Sequence, residues 1–267
     1  MLEIKKITAG YGRRTVLREL SVTFAAGKVT AVIGANGCGK STLLKAALGI
    51  IPRAQGEVLS DGVSLGALPR IEIARRVAYL TQESGIPAMT VSEMALCGRF
   101  PYRSRFGGYT RRDREIASTA MERVGIAHLA DEPLAALSGG VRQTARLAMA
   151  LTQDTPYLLL DEPATYLDVA HQIALMRLLR ELASDGRGVA AVMHDLPLAL
   201  TYADEVAVMA EGRVIAFGTP RELSRSGVIE RVFGVRVREA DGEFSCCLRE
   251  EGERASWRPT GKPVRDF

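Results

Sequence analysis

The sequence predicts an α/β protein: a parallel sheet with crossover helices, preceded by a small antiparallel β-layer and interrupted by a helical insertion. Three observations carry this expectation. Short apolar runs recur at residues 29–33, 157–160 and 189–193, the pattern of strands buried on both faces. Each is followed by a helix-patterned stretch, at residues 41–48, 169–184 and 197–203, and such alternation builds parallel sheets. Between residues 85 and 155 the strands give way to helical patterns at 91–96, 112–124 and 140–151.

The elements follow in order. Residues 2–7 and 20–24 alternate as antiparallel strands do, with turn signals at Ala9-Gly10-Tyr11-Gly12 and Ala26-Gly27-Lys28. A further strand is expected at residues 77–80. The last thirty residues are polar, include Glu250-Glu251-Gly252-Glu253-Arg254, and read as a loosely packed extension. The expected units are a nucleotide-binding core (1–84 and 156–235), a helical subdomain (85–155) and a C-terminal extension (236–267). No internal repeat or low-complexity stretch is evident.

At 267 residues with 47% hydrophobic content, the chain can bury a full α/β core with one elaboration. The net charge of +4, from 35 basic and 31 acidic residues, comes without a concentrated basic arm. Nucleic acid is therefore not implied as a partner, and an anionic membrane surface is equally compatible. No apolar run approaches the ~18 residues of a membrane span, and Met1–Lys6 leads into no signal-peptide core. The expectation is a soluble, intracellular chain. Cys38, Cys97, Cys246 and Cys247 show neither metal-ligand spacing nor the density of a disulfide framework, which fits a reducing compartment.

Gly34-Ala35-Asn36-Gly37-Cys38-Gly39-Lys40-Ser41 lies between an expected strand and an expected helix. Glycines at 34, 37 and 39 allow backbone conformations closed to other residues and turn successive N–H groups inward, where the positive end of the helix dipole also points. That is an anion cradle. Lys40 can reach β- and γ-phosphates, Ser41 can ligate Mg²⁺, and Thr42 follows inside the helix. The pattern predicts binding of a nucleoside triphosphate. Cys38 is either a thiol open to alkylation or a small residue filling a small space.

Two carboxylates, Asp161 and Glu162, end the apolar run Tyr157-Leu158-Leu159-Leu160, and an α/β fold places such strand ends beside the phosphate loop. Asp161 can hold the Mg²⁺ shell, and Glu162 can take a proton from, or orient, the water that attacks the γ-phosphate. A strand running into a helix cap would read alike. Ser138, Gly139 and Gly140 open a further expected helix, a second anion-binding terminus in the same chain.

With these motifs in this order, from Tyr11 to about Phe233, the chain resembles the ATP-binding cassette (ABC) family, in which the Ser-Gly-Gly signature of one subunit closes over the ATP held by the phosphate loop of another. The resemblance implies a P-loop NTPase core with a RecA-like parallel sheet, ATP and Mg²⁺ as cofactors, and a homodimer around two ATP. It implies that Tyr11 stacks on adenine beside Val16, and that Gln82 touches Mg²⁺ and the attacking water. Asp168, whose local reading is a helix N-cap, would communicate between subunits, and His194 would sense the γ-phosphate. His128 and His171 gain no role. Val141 and Thr144 depart from the glutamine and arginine common on the signature helix, and Ala164 replaces a residue commonly hydroxylated.

Stretches such as Cys97-Gly98-Arg99-Phe100-Pro101-Tyr102 and Leu167-Asp168-Val169-Ala170-His171-Gln172 resemble the ATPases of importers for ferric siderophores, haem and cobalamin. The resemblance then implies a peripheral subunit on the cytoplasmic face of the inner membrane, bound to integral-membrane permease subunits with a substrate-binding protein upstream. The helical insertion, especially residues 82–103, would form the groove for the permease, and Ile86-Pro87-Ala88-Met89 there fits either a docking surface or ordinary core. A soluble ABC ATPase acting on ribosomes or DNA is the alternative.

Overall fold

The structure is a computed structural model that describes residues 1–81, 85–104 and 107–248. The chain opens on two antiparallel strands, β1 (Leu2–Tyr11) and β2 (Arg14–Phe24). Leu2, Ile4, Ile7, Leu17, Leu20 and Phe24 point inward and are buried. The reversal falls later than the turn signal suggested: Gly10 and Tyr11 still pair with Thr15 and Arg14, and the chain turns at Gly12 with φ 56°. Next comes β3 (Val29–Gly34), buried throughout, and α1 (Lys40–Ala47).

The chain then returns to the first sheet through β4 (Arg53–Ser60) and β5 (Val63–Ser64), giving the order β2-β1-β4-β5. After α2 (Arg70–Ala74) and β6 (Val77–Leu80) it enters the helical part, with α3 (Val91–Cys97), α4 (Arg111–Arg123) and α5 (Gly139–Thr152). Thr90 and Thr110 start α3 and α4 as capping boxes with Glu93 and Asp113, satisfying backbone donors that an uncapped helix leaves open. These helices share their own apolar cluster, with Val91, Met94, Met121 and Leu134 at its centre.

The strand-helix alternation resumes with β7 (Tyr157–Asp161), α6 (Val169–Ser184), β8 (Gly188–Val192), α7 (Leu196–Tyr202), β9 (Glu205–Ala210) and β10 (Arg213–Gly218). The large sheet runs β10-β9-β3-β8-β7-β6. Its strands are parallel except β10, which pairs antiparallel with β9. One face packs on α6 and α7, the other on α1 and the N-terminal sheet. The expected α/β architecture holds, with a sheet whose strand ends carry the loops that matter.

Past α8 (Pro220–Arg225) and α9 (Val228–Phe233), the strands β11 (Val235–Ala240) and β12 (Glu243–Leu248) form a hairpin. Residues 236–248 were expected in a loose extension and instead pack on the core. The register pairs Val237 with Cys246 and Glu239 with Phe244, so Val235, Val237, Phe244 and Cys246 share one face. Phe244 joins the large core cluster, and its N–H donates to Thr201 Oγ1 at 3.1 Å. Among the described residues, no helix is long and apolar enough to cross a membrane.

Candidate nucleotide site

Strand β3 carries the chain to the carboxyl edge of the large sheet, where residues 34–39 turn before α1 begins. Gly37 (φ 77°) and Gly39 (φ 111°) are left-handed, a conformation that costs other residues about 1–2 kcal/mol. Gly34 is not left-handed, contrary to the expectation for all three glycines. It is needed for close approach, because a Cβ there would lie 2.4 Å from the Met209 carbonyl oxygen and 2.7 Å from Cys38 Sγ.

Ala35, Asn36 and Gly37 are exposed along the loop, whereas Lys40 is buried. The Lys40 ammonium folds back over the loop and donates to the carbonyls of Gly34 at 2.7 Å and Ala35 at 3.2 Å. The first turn of α1 holds no acidic side chain, so its amino terminus keeps its full attraction for an anion. Thr42 is buried within α1. Cys38 is 8% exposed and burial pushes its thiol up, which favours the space-filling reading over a reactive one.

Alternation along β7 decides which carboxylate faces the loop. Tyr157 and Leu159 pack in the cluster that contains α1, and Leu158 and Leu160 pack in the opposite one. Asp161, two residues beyond Leu159, therefore points toward α1. Ser41 Oγ donates to Asp161 Oδ1 at 2.9 Å, and the Tyr79 hydroxyl donates to Asp161 Oδ2 at 3.3 Å. Burial raises the Asp161 pKa, the Ser41 hydrogen bond opposes that, and the neighbouring Glu162 charge adds to it.

Glu162 takes a left-handed backbone (φ 53°) where the chain leaves β7. Its Oε1 lies 2.5 Å from His194 Nε2, and its Oε2 accepts from Thr165 Oγ1 at 3.4 Å. The structure thus brings together Lys40, Ser41 and Asp161 at the loop and pairs Glu162 with His194. Sequence reasoning missed Tyr79 and Thr165; the alternation of β6 and β7 was the signal available for Tyr79.

The donor set tests the expected cation. Among the described residues, no group of three or more His, Cys, Asp or Glu side chains could hold a metal ion. Ser41 and Asp161 present oxygens, as suits a hard cation that keeps waters and phosphate oxygens in most of its shell. They fit Mg²⁺ on that basis. Gln82, the third expected ligand, lies outside the described residues.

Val16, Gly37 and Cys38 line a cleft of about 440 Å³ together with Arg14, Arg18 and Gly212. Tyr11 is half exposed at the β1–β2 turn and is not part of that lining. Ser138 caps α5, its Oγ accepting from the Val141 N–H at 3.3 Å, and Gly139 and Gly140 open the helix. The Thr144 hydroxyl is tied to the Gly140 carbonyl at 3.0 Å. Ser138, Gly139 and Gly140 line a second cavity, of about 610 Å³, with Tyr166, Asp168 and His171. The two cavities share no lining residue.

Asp168 does what its local sequence suggested: its carboxylate caps α6, accepting from the His171 N–H at 2.9 Å, and pairs with the His171 ring at 2.8 Å. Those hydrogen bonds hold its carboxyl below the usual range. Ile86 is exposed, whereas Met89 packs against the helical cluster, so the apolar segment divides between the two readings offered for it.

The fold and these motifs define an ATP-binding cassette, and comparison with known proteins agrees. The ABC transporter family model matches residues 17–165. The chain is 43% identical over 234 residues to the ferric enterobactin transport ATP-binding protein of Escherichia coli (strain K12), covering 87% of this chain and 86% of that protein. It is 39% identical over 236 residues to the iron(3+)-hydroxamate import ATP-binding protein of Bacillus subtilis (strain 168), covering 88% of each. Among solved structures, a chain of an inward-facing transporter described as metal-chelate type superposes with a TM-score of 0.77 at 26% identity, covering 92% of this chain and 95% of that one. The chain belongs to the ABC transporter family, and it is an ATP-binding, ATP-hydrolysing subunit.

Proposed function

We propose that the protein powers import of a ferric siderophore or similar metal chelate, as a homodimer attached to integral-membrane permease subunits on the cytoplasmic face of the membrane. The observation that carries this is the 43% identity to a ferric enterobactin transport protein along 87% of the chain. The organisation into a core (1–84, 156–235) and a helical subdomain (85–155) belongs to the same proposal. So does the dimer: the cavity lined by Ser138, Gly139 and Gly140 has no residue of the phosphate loop in its lining. A second copy turned by a two-fold axis would complete each site.

Within a site, the N–H groups of residues 34–42 bind the phosphates, and Lys40 exchanges its carbonyl partners for β- and γ-phosphate oxygens. Mg²⁺, held by Ser41, Asp161 and Gln82, would neutralise charge on the phosphates. Glu162 takes the proton of the attacking water. A carboxylate only accepts hydrogen bonds, so His194 Nε2 donates to Glu162 Oε1 and fixes the direction of the base. Tyr11 and Val16 flank the base of the nucleotide, and Asp168 lies where subunits meet.

The test is uptake of labelled ferric siderophores by cells lacking this chain. Uptake is expected to fall, and to return with the wild-type chain but not with Glu162→Gln. Undiminished uptake of every ferric chelate tried, with Glu162→Gln recovered on ribosomes or DNA, would favour the soluble alternative.

A further inference from the structure

We propose that Tyr79 is a positioning residue for the cation: its hydroxyl holds Asp161 in the orientation in which the carboxylate serves the Mg²⁺-nucleotide. This rests on the reading of Asp161 and Ser41 as the cation's protein ligands. The placement comes from the sheet. Strand β6 is the edge neighbour of β7, and Tyr79 pairs with Leu159. Leu159 and Asp161 share a face because they are two residues apart, so a long side chain on that face at position 79 reaches diagonally to residue 161. The Tyr79 hydroxyl donates to Asp161 Oδ2 at 3.3 Å, while Ser41 donates to Oδ1 at 2.9 Å.

The two carboxylate oxygens are therefore each held by a different element, one by the helix that follows the loop and one by the edge strand. Asp161 is 1% exposed, and a buried carboxylate oxygen left without a hydrogen-bond partner is costly. When the Ser41 hydroxyl turns to a cation, the Tyr79 hydrogen bond still fixes the carboxylate plane. Partners of this kind are worth about 10- to 100-fold in metal affinity, and the length of this bond places Tyr79 at or below the lower end. The ring itself packs against the apolar cluster around α1, so Tyr79→Phe removes the hydroxyl and keeps the packing.

The experiment measures nucleotide affinity of the full chain by fluorescence with a non-hydrolysable ATP analogue, in Mg²⁺ and in EDTA, for wild type, Tyr79→Phe and Ser41→Ala. A Mn²⁺ paramagnetic resonance titration of the same complexes reads the cation directly. For Tyr79→Phe, the Mg²⁺-dependent gain in affinity is expected to shrink about three- to tenfold, with weaker Mn²⁺ binding and the EDTA affinity and melting temperature unchanged. A Mg²⁺-dependent gain equal to wild type overturns the role of Tyr79 while Ser41→Ala still loses it. An equal gain in all three proteins overturns the cation-site reading itself. Parallel losses in Mg²⁺ and in EDTA overturn the proposal in favour of a general distortion of the loop.

Discussion

Arg99→Met should destabilise the protein more than any surface substitution, because it strands a buried charge. Arg99 is 8% and Asp113 7% exposed. Arg99 Nε donates to Asp113 Oδ1 at 2.8 Å and its Nη1 to the Thr152 carbonyl at 3.3 Å. The guanidinium also lies 3.9 Å from the centre of the Tyr102 ring. One side chain thus joins the segment after α3, the start of α4 and the end of α5. Removing one partner of such a pair costs about 3–5 kcal/mol.

The effect has a pH signature. Burial alone would raise the Asp113 pKa, but hydrogen bonds from Arg99 and then Thr110 outweigh it and lower the value from 3.8 to about 2. A depressed carboxyl contributes stability above its unfolded pKa and loses it as pH falls through the folded value. The gap between wild type and Arg99→Met in guanidinium unfolding should therefore be widest near neutral pH and narrow as pH falls from about 4 toward 2. Arg99→Met combined with Asp113→Asn should recover much of the loss, since no charge is stranded. A single variant that costs under about 1 kcal/mol, or a double variant no better than the single, would refute the buried-pair reasoning.

Lys40→Ala should weaken ATP-analogue binding about 10- to 100-fold with little change in melting temperature; wild-type affinity by calorimetry would contradict the placement of the phosphates. Phe244→Ala should cost about 3 kcal/mol in denaturant unfolding, because the side chain closes the contact of the C-terminal hairpin with the core; a loss under about 0.5 kcal/mol would mean that the hairpin is an appendage after all.

What the sequence disclosed follows from where its signals are strong. Residues of β3, β7 and β8 are buried on both faces, and such strands announce themselves as apolar runs. The helices of the insertion carry clear periodicity. Strand β4 was invisible because its first half, Arg-Ala-Gln-Gly-Glu, is largely exposed and lacks alternation. The C-terminal hairpin was hidden by polar composition, although Asp241-Gly242 marks its turn and both residues have positive φ. At the site, residue types and spacing pointed to Lys40, Ser41, Asp161 and Glu162, whereas His194 came only from the family resemblance. The reach of Tyr79 to Asp161 depends on strand register, and the left-handed turns at Glu162 and Tyr166 have no glycine to signal them. The His171 contact with Asp168 was set aside as a histidine without a role, yet at three residues' separation on a helix start it was within reach.

The measurement that bears most directly on the chemistry is steady-state ATPase activity of Glu162→Gln beside its oligomeric state with ATP and Mg²⁺. Glutamine keeps the shape of Glu162 and the contact with His194, but it cannot take the proton of the attacking water. Hydrolysis should fall by about 100-fold or more, nucleotide binding should persist, and the variant should elute as an ATP-held dimer while ADP leaves it monomeric. Wild-type turnover in Glu162→Gln would contradict the assignment of the base, and a monomer that hydrolyses ATP at full rate alone would contradict the two-chain site.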